Sequence, residues 1–137
     1  MNMSQLTAGE GFRTEHLYTI TPVVYERFVA AFADANRLRI DDGFAQRRGF
    51  PERVMHGAIL NGFISHFVGV HFPGDGSLLH SVRTQYKSPC HLGDQARIEA
   101  SVTQVSEAVG VVTMELVLTN LTRSRVAAKA KVQVGVP

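Results

Sequence analysis

Two short segments carry the residues best suited to chemistry. They are Asp34-Ala35-Asn36-Arg37-Leu38-Arg39 and, some twenty residues on, Val54-Met55-His56-Gly57, which heads a charge-free run continuing past Ser65. Asp34 has two readings. Aimed into a pocket, its carboxylate is a general base for water. Left at the end of a helix, it is a solvated turn aspartate beside the negative end of the dipole. Gly57 opens the apolar run. A helix N-terminus presents unpaired N–H groups and partial positive charge, and aimed at a carbonyl these stabilise a developing oxyanion. A glycine there admits a ligand close to the backbone, or serves only helix–sheet contact. Asn61 and Ser65 are four apart on one helix face. They are placed either to hydrogen-bond a catalytic carboxylate or to satisfy backbone carbonyls. His16, His56, His66, His71, His80 and His91 show no ligand spacing with carboxylates. His66 and His71 are five apart rather than the i, i+4 of a helical zinc pair, so no metal site is expected. The chain has no glycine-rich phosphate loop and no Ser/His/Asp signature.

Phe12 to Ile20 reads as a first strand of irregular alternation. Thr21-Pro22 is a helix start, with threonine capping and proline at the first helical position. Val24, Phe28, Ala31 and Phe32 form one helical face, and this helix runs into Asp34. Residues 35 to 53 are irregular, with a short helical stretch around Asp42 to Arg47. A long apolar helix follows from about His56 to Val70, ended by Pro73-Gly74-Asp75-Gly76. The rest is β. Leu78, His80, Val82, Thr84 and Tyr86 alternate with more polar neighbours. Ala96, Ile98, Ala100 and Val102 do the same, as do Val112, Met114, Leu116 and Leu118, and the series from Val126 to Val136. Turns around Ala108-Val109-Gly110 and Asn120 to Ser124 make the last three strands an antiparallel meander. The economical packing is an α+β domain in which one antiparallel sheet curls around the apolar helix. Such a sheet leaves an edge strand open, and pairing two sheets edge to edge predicts a homodimer.

The 137 residues fit one domain, 1–137, whose core needs no staples. The hydrophobic fraction of 45% and charged fraction of 19% are those of a soluble globular chain. One cysteine, Cys90, excludes an internal disulfide and suits a reducing cytoplasm. Following Ser88-Pro89 at an expected strand start, it reads as a buried structural thiol. A net charge of +2 argues against nucleic acid. Arg123, Arg125, Lys129 and Lys131 lie on the polar face of the last hairpin, as a solvated face or as partners for coenzyme A phosphates. Met1 to Thr7 has no basic stretch before an apolar core, so no secretory signal is expected. Val54 to Gly74 lacks charge but holds His56, Asn61, Ser65, His66 and His71, which argues for a sheet-wrapped helix and against a membrane span.

Taken together, these residues resemble the MaoC-like (R)-specific enoyl-CoA hydratases and dehydratases. That family's motif reads Asp-x-Asn-Pro-x-His, with a His-Gly opening the central helix some twenty residues on. Here the first part is Asp34-Ala35-Asn36-Arg37-Leu38-Arg39. The second is His56-Gly57-Ala58-Ile59-Leu60, with Ser65 at the family's serine position. Ser88-Pro89-Cys90-His91-Leu92-Gly93-Asp94 matches its Pro-x-x-x-Gly-Asp. The resemblance implies a hot-dog fold and a homodimer that binds an acyl thioester of coenzyme A or acyl carrier protein, without a cofactor. Carried over residue by residue, it implies Asp34, Asn36, Arg39, Gly57 and Ser65 as catalytic and His56, Ala58 and Asn61 as substrate-binding. The departures are Arg37 for proline and Arg39 for histidine. A guanidinium stays protonated, with a pKa above ~12, so Arg39 cannot take and return a proton. It can pair with Asp34, lowering that carboxylate's basicity, or bind an anionic group of the substrate. Three functions follow: a hydratase with Asp34 as sole acid/base, a thioesterase, or a non-catalytic acyl-thioester binder.

Overall fold

The computed structural model describes residues 11–137; Met1 to Thr7, and with them the start of the expected 1–137 domain, lie outside the described residues. Five strands form one antiparallel sheet: β1 (Arg13–Thr19), β2 (Leu78–Tyr86), β3 (Gln95–Ser106), β4 (Val111–Asn120) and β5 (Arg125–Gly135), in the order β1-β3-β4-β5-β2. The helices are α1 (Pro22–Phe32), α2 (Arg37–Ile40), α3 (Asp42–Arg47) and α4 (Gly57–His66). α4 continues as a π-helical turn over Phe67–His71, so the expected helix is present but changes its winding in its last third. The sheet wraps α4. Ile59, Leu60, Phe63, Ile64, Phe67 and Val68 are buried against Ile98, Ala100, Met114, Leu116, Leu118 and Val132. Among the described residues no helix is long and apolar enough to cross a membrane.

The local chemistry follows the sequence closely at α1. Thr21 Oγ1 accepts from the Val24 N–H at 3.1 Å and Pro22 occupies the first turn. The expected face is only half covered, because Phe32 is 70% exposed and Val24 and Phe28 line a cleft. α2 was not expected. Asn36 makes it, its Oδ1 accepting from the Leu38 N–H at 3.0 Å. β1 shows the strict alternation of burial that its residue types conceal.

Two expectations about the strands need correction. β2 does not bury the face of Leu78, His80, Val82, Thr84 and Tyr86; Leu78, Val82 and Tyr86 are exposed. β2 is an edge strand with a register break between Leu79 and Ser81, and among the described residues no further strand pairs with its free edge. In β5 the alternation fails at its start, where Val126 pairs with Thr119 and Ala128 with Leu118. The extra residue, Ala127, is buried beside Ala128, as a bulge requires. Cys90 lies in the loop between β2 and β3, not at a strand start. It is buried as expected.

Candidate functional site at the head of the central helix

Asp34 follows the C-cap of α1, Ala33, whose φ of 51° turns the chain sharply out of the helix. Its side chain is half exposed at 46% and lines an apolar cleft of about 640 Å³ with Val24, Phe28, Phe32, Gly62 and Phe63. Its partner is a residue for which no carboxylate was expected. His56, only 4% exposed, brings Nε2 to 3.0 Å from the Asp34 carbonyl oxygen and 3.6 Å from Asp34 Oδ1. A carbonyl only accepts, so Nε2 carries the proton and donates. Among the described residues His56 Nδ1, which is buried, has no hydrogen-bond partner. Phe28 packs on the ring at 4.9 Å, which fixes its plane.

Arg39 does not pair with Asp34: among the described residues no carboxylate lies within 4.0 Å of its guanidinium. Its Nη1 donates instead to the carbonyls of Met55 at 3.2 Å and Val54 at 3.4 Å. The buried Tyr25 hydroxyl donates to the Arg39 carbonyl at 2.8 Å, and Val54 N–H donates to the Leu38 carbonyl at 3.0 Å. α2 is therefore stitched to the segment that leads into α4. Asn36 contributes by capping α2 and not by reaching Asp34. Arg39, His56, Gly57 and Ala58 line a second cavity of about 480 Å³, together with Tyr86 and Lys87. Ala58 lines both spaces.

Gly57 is the first residue of α4, and His56, its N-cap, makes no side-chain capping bond. The helix thus meets the cavity with N–H groups available to an acceptor. The glycine is needed sterically: a Cβ there would lie 2.8 Å from the Tyr86 ring. Tyr86 is held in place by Asn61, whose Nδ2 donates to the Tyr86 hydroxyl at 2.9 Å while its Oδ1 accepts from Thr84 at 2.9 Å. Asn61 thereby clamps β2 to α4 rather than touching Asp34. Ser65 is exposed two turns further along, on the same outward stripe as Ala58 and Gly62.

The loop from Ser88 to Asp94 supports the site from behind. Met55 N–H donates to the Cys90 carbonyl at 2.8 Å, and His91 Nδ1 donates to the Arg53 carbonyl at 2.7 Å. Gly93, with φ 88°, makes the turn. Asp94 is 2% exposed, and one of its oxygens accepts from Asn120 at 2.7 Å, His91 N–H at 2.9 Å and Arg123 Nε at 2.9 Å. Burial pushes its carboxyl up, but the Asn120 amide, the His91 N–H and Arg123 outweigh this and hold it below its ordinary value. Burial pushes the Cys90 thiol up, reinforced by the Asp94 charge, which keeps it protonated and unreactive. Of the four basic residues read as a solvated face or as partners for coenzyme A phosphates, Arg123 is engaged by Asp94, while Arg125 stays exposed and donates to the Pro89 carbonyl at 3.1 Å. The sequence signal for Asp94 was its place in the Gly-Asp turn. For Tyr25, Tyr86 and Lys87 there was none.

The family described as MaoC like domain matches residues 3–123. The chain is 28% identical over 114 residues to an (R)-specific enoyl-CoA hydratase of Aeromonas caviae, covering 83% of this chain and 84% of that protein. It is 30% identical over 76 residues to an (R)-specific enoyl-CoA hydratase of Rhodospirillum rubrum, covering 56% of this chain and 53% of that protein. The solved structure of an (R)-hydratase from A. caviae involved in PHA biosynthesis superposes with a TM-score of 0.85 at 24% identity, over 93% of this chain and 96% of that one. The expected hot-dog fold is therefore the observed one. With its sheet wrapped on a central helix and the family match running through both motif segments, the chain belongs to the MaoC-like domain family.

Proposed function

We propose that this protein adds water to, and removes it from, the 2-enoyl and 3-hydroxyacyl thioesters of coenzyme A or acyl carrier protein. The observation that carries the reading is a carboxylate, Asp34, braced by His56 Nε2–H, which adjoins the uncapped first turn of α4. Both relatives described above are enoyl-CoA hydratases. The thioester oxygen accepts from the Gly57 N–H, where the helix end favours negative charge. Water is held by Asp34. As its oxygen bonds to C3, its proton passes to the carboxylate and the electrons of the double bond move onto the thioester oxygen as an enolate. Asp34 then returns the proton to C2, so atoms and charge balance and the carboxylate is regenerated. His56 is a positioning residue, holding Asp34 by its backbone. Arg39 takes no part in proton transfer.

Hydration is followed by loss of the enoyl absorbance of a trans-2-enoyl-CoA. Asp34→Asn is expected to lower turnover at least ~100-fold with unchanged circular dichroism. Undiminished activity in that variant overturns the site.

A further inference from the structure

The cavity at the head of α4 holds two cations and no acid. Arg39 and Lys87 line it, and none of its lining residues is Asp or Glu. Among the described residues neither cation has a carboxylate within 4.0 Å. Among the described residues Arg39 spends only Nη1 on carbonyls, at 3.2 and 3.4 Å, and these bonds fix the plane of the fork while Nε and Nη2 keep their donors. A guanidinium held this way suits a bidentate carboxylate. Its position decides which anion it meets. It shares the cavity with Gly57, whose N–H is the proposed seat of the thioester oxygen. Both arms of the thioester start at that oxygen, but coenzyme A phosphates lie a full pantetheine arm away, so the nearest anion a substrate can bring to Arg39 is one on a short acyl chain that passes Ala58, the residue shared by this cavity and the Asp34 cleft.

We infer that the site takes acyl thioesters whose chain ends in a second carboxylate, and that Arg39, assisted by Lys87, reads that carboxylate. The inference rests on the hydratase reading for the double bond, but not for the charge. The water addition is unchanged: one C–O and one C–H bond form, the C2–C3 π bond and one O–H bond of water break, and nothing is oxidised or reduced. Trans-2-pentenedioyl-CoA would give 3-hydroxypentanedioyl-CoA.

Binding separates the two readings, because saturated thioesters cannot be hydrated. Calorimetry would compare pentanedioyl-CoA with pentanoyl-CoA, then the corresponding thioesters of pantetheine, which carry no phosphate. The diacid is expected to bind about 10- to 100-fold more tightly in both series, as a charge-assisted pair predicts. Arg39→Gln should erase that preference, Arg39→Lys should restore part of it, and Lys87→Gln should reduce it several-fold. Equal affinity for diacid and monoacid overturns the inference. So does an Arg39→Gln variant that weakens both coenzyme A thioesters alike and leaves the pantetheine thioesters untouched, since Arg39 would then be reading phosphate. A binding preference without turnover of trans-2-pentenedioyl-CoA keeps the charge reading and overturns the hydratase reading alone.

Discussion

His56 Nδ1 is buried with no hydrogen-bond partner among the described residues, while Nε2 donates to the carbonyl of Asp34. A ring so placed has one use for its proton, and that use is to hold the backbone that carries the carboxylate. His56→Leu removes the donor and leaves the Asp34 carbonyl to water, so turnover should fall about 10- to 100-fold with little change in the far-ultraviolet spectrum. Steady-state kinetics with one enoyl thioester checks this. Gly57→Ala tests the neighbouring position. Its new Cβ would meet the Tyr86 ring at 2.8 Å, so the ring must shift away from the helix head. A raised KM for thioester is the expected result. Asp34 and Gly57 were legible as chemical candidates from residue type and position in the motif. The His56 contact was not, because the pair stands 22 positions apart, joined by two short helices and loops, and no periodicity reports where such a segment returns. For Arg39 the residue type supplied only an exclusion, since it rules out a base; that its guanidinium turns to the carbonyls of Val54 and Met55 and not to Asp34 was seen only in the fold.

At the scale of elements, the site is held by pieces far apart in sequence. The Ser88 to Asp94 loop fastens Arg53 and Met55 just before α4, and Asp94 fastens that loop to the β4–β5 turn through Asn120 and Arg123. The folded state holds the Asp94 carboxyl below its ordinary value, so between those two values the unfolded chain binds more protons. Its stabilisation is therefore full above the ordinary carboxylate range and is lost as pH falls through the lower folded value. Asp94→Asn should cost about 3 kcal/mol at neutral pH, as for a broken buried pair, and should flatten the acid limb of a urea-denaturation series. Period-two patterning made β3, most of β4 and the outer part of β5 readable in advance. The bulge at Ala127 was not, because one inserted residue changes the facing of everything before it without altering composition. α2 escaped notice because a four-residue helix has no periodicity to show; its only signal is the Asn36 cap.

For the molecule as a whole, the informative surface is the β2 edge, where Leu78, Val82 and Tyr86 are exposed at 66, 39 and 52%. The same pattern that suggested a buried strand marks a strand awaiting cover. Two copies joined along β2 would complete a larger sheet and enclose the Tyr86 side of the cavity. A homodimer is the expected state by light scattering, and Val82→Lys should shift it toward monomer and lower activity in parallel. A monomeric natural protein with full activity would contradict that expectation.

Mass spectrometry of the product formed from a trans-2-enoyl-CoA in isotopically labelled water distinguishes hydration from the other reactions open to this site. The natural sequence, with Arg39 in place, is expected to give a 3-hydroxyacyl-CoA carrying one labelled oxygen. Recovery of unchanged enoyl-CoA, or of free coenzyme A with a labelled carboxylic acid, would contradict the hydratase reading.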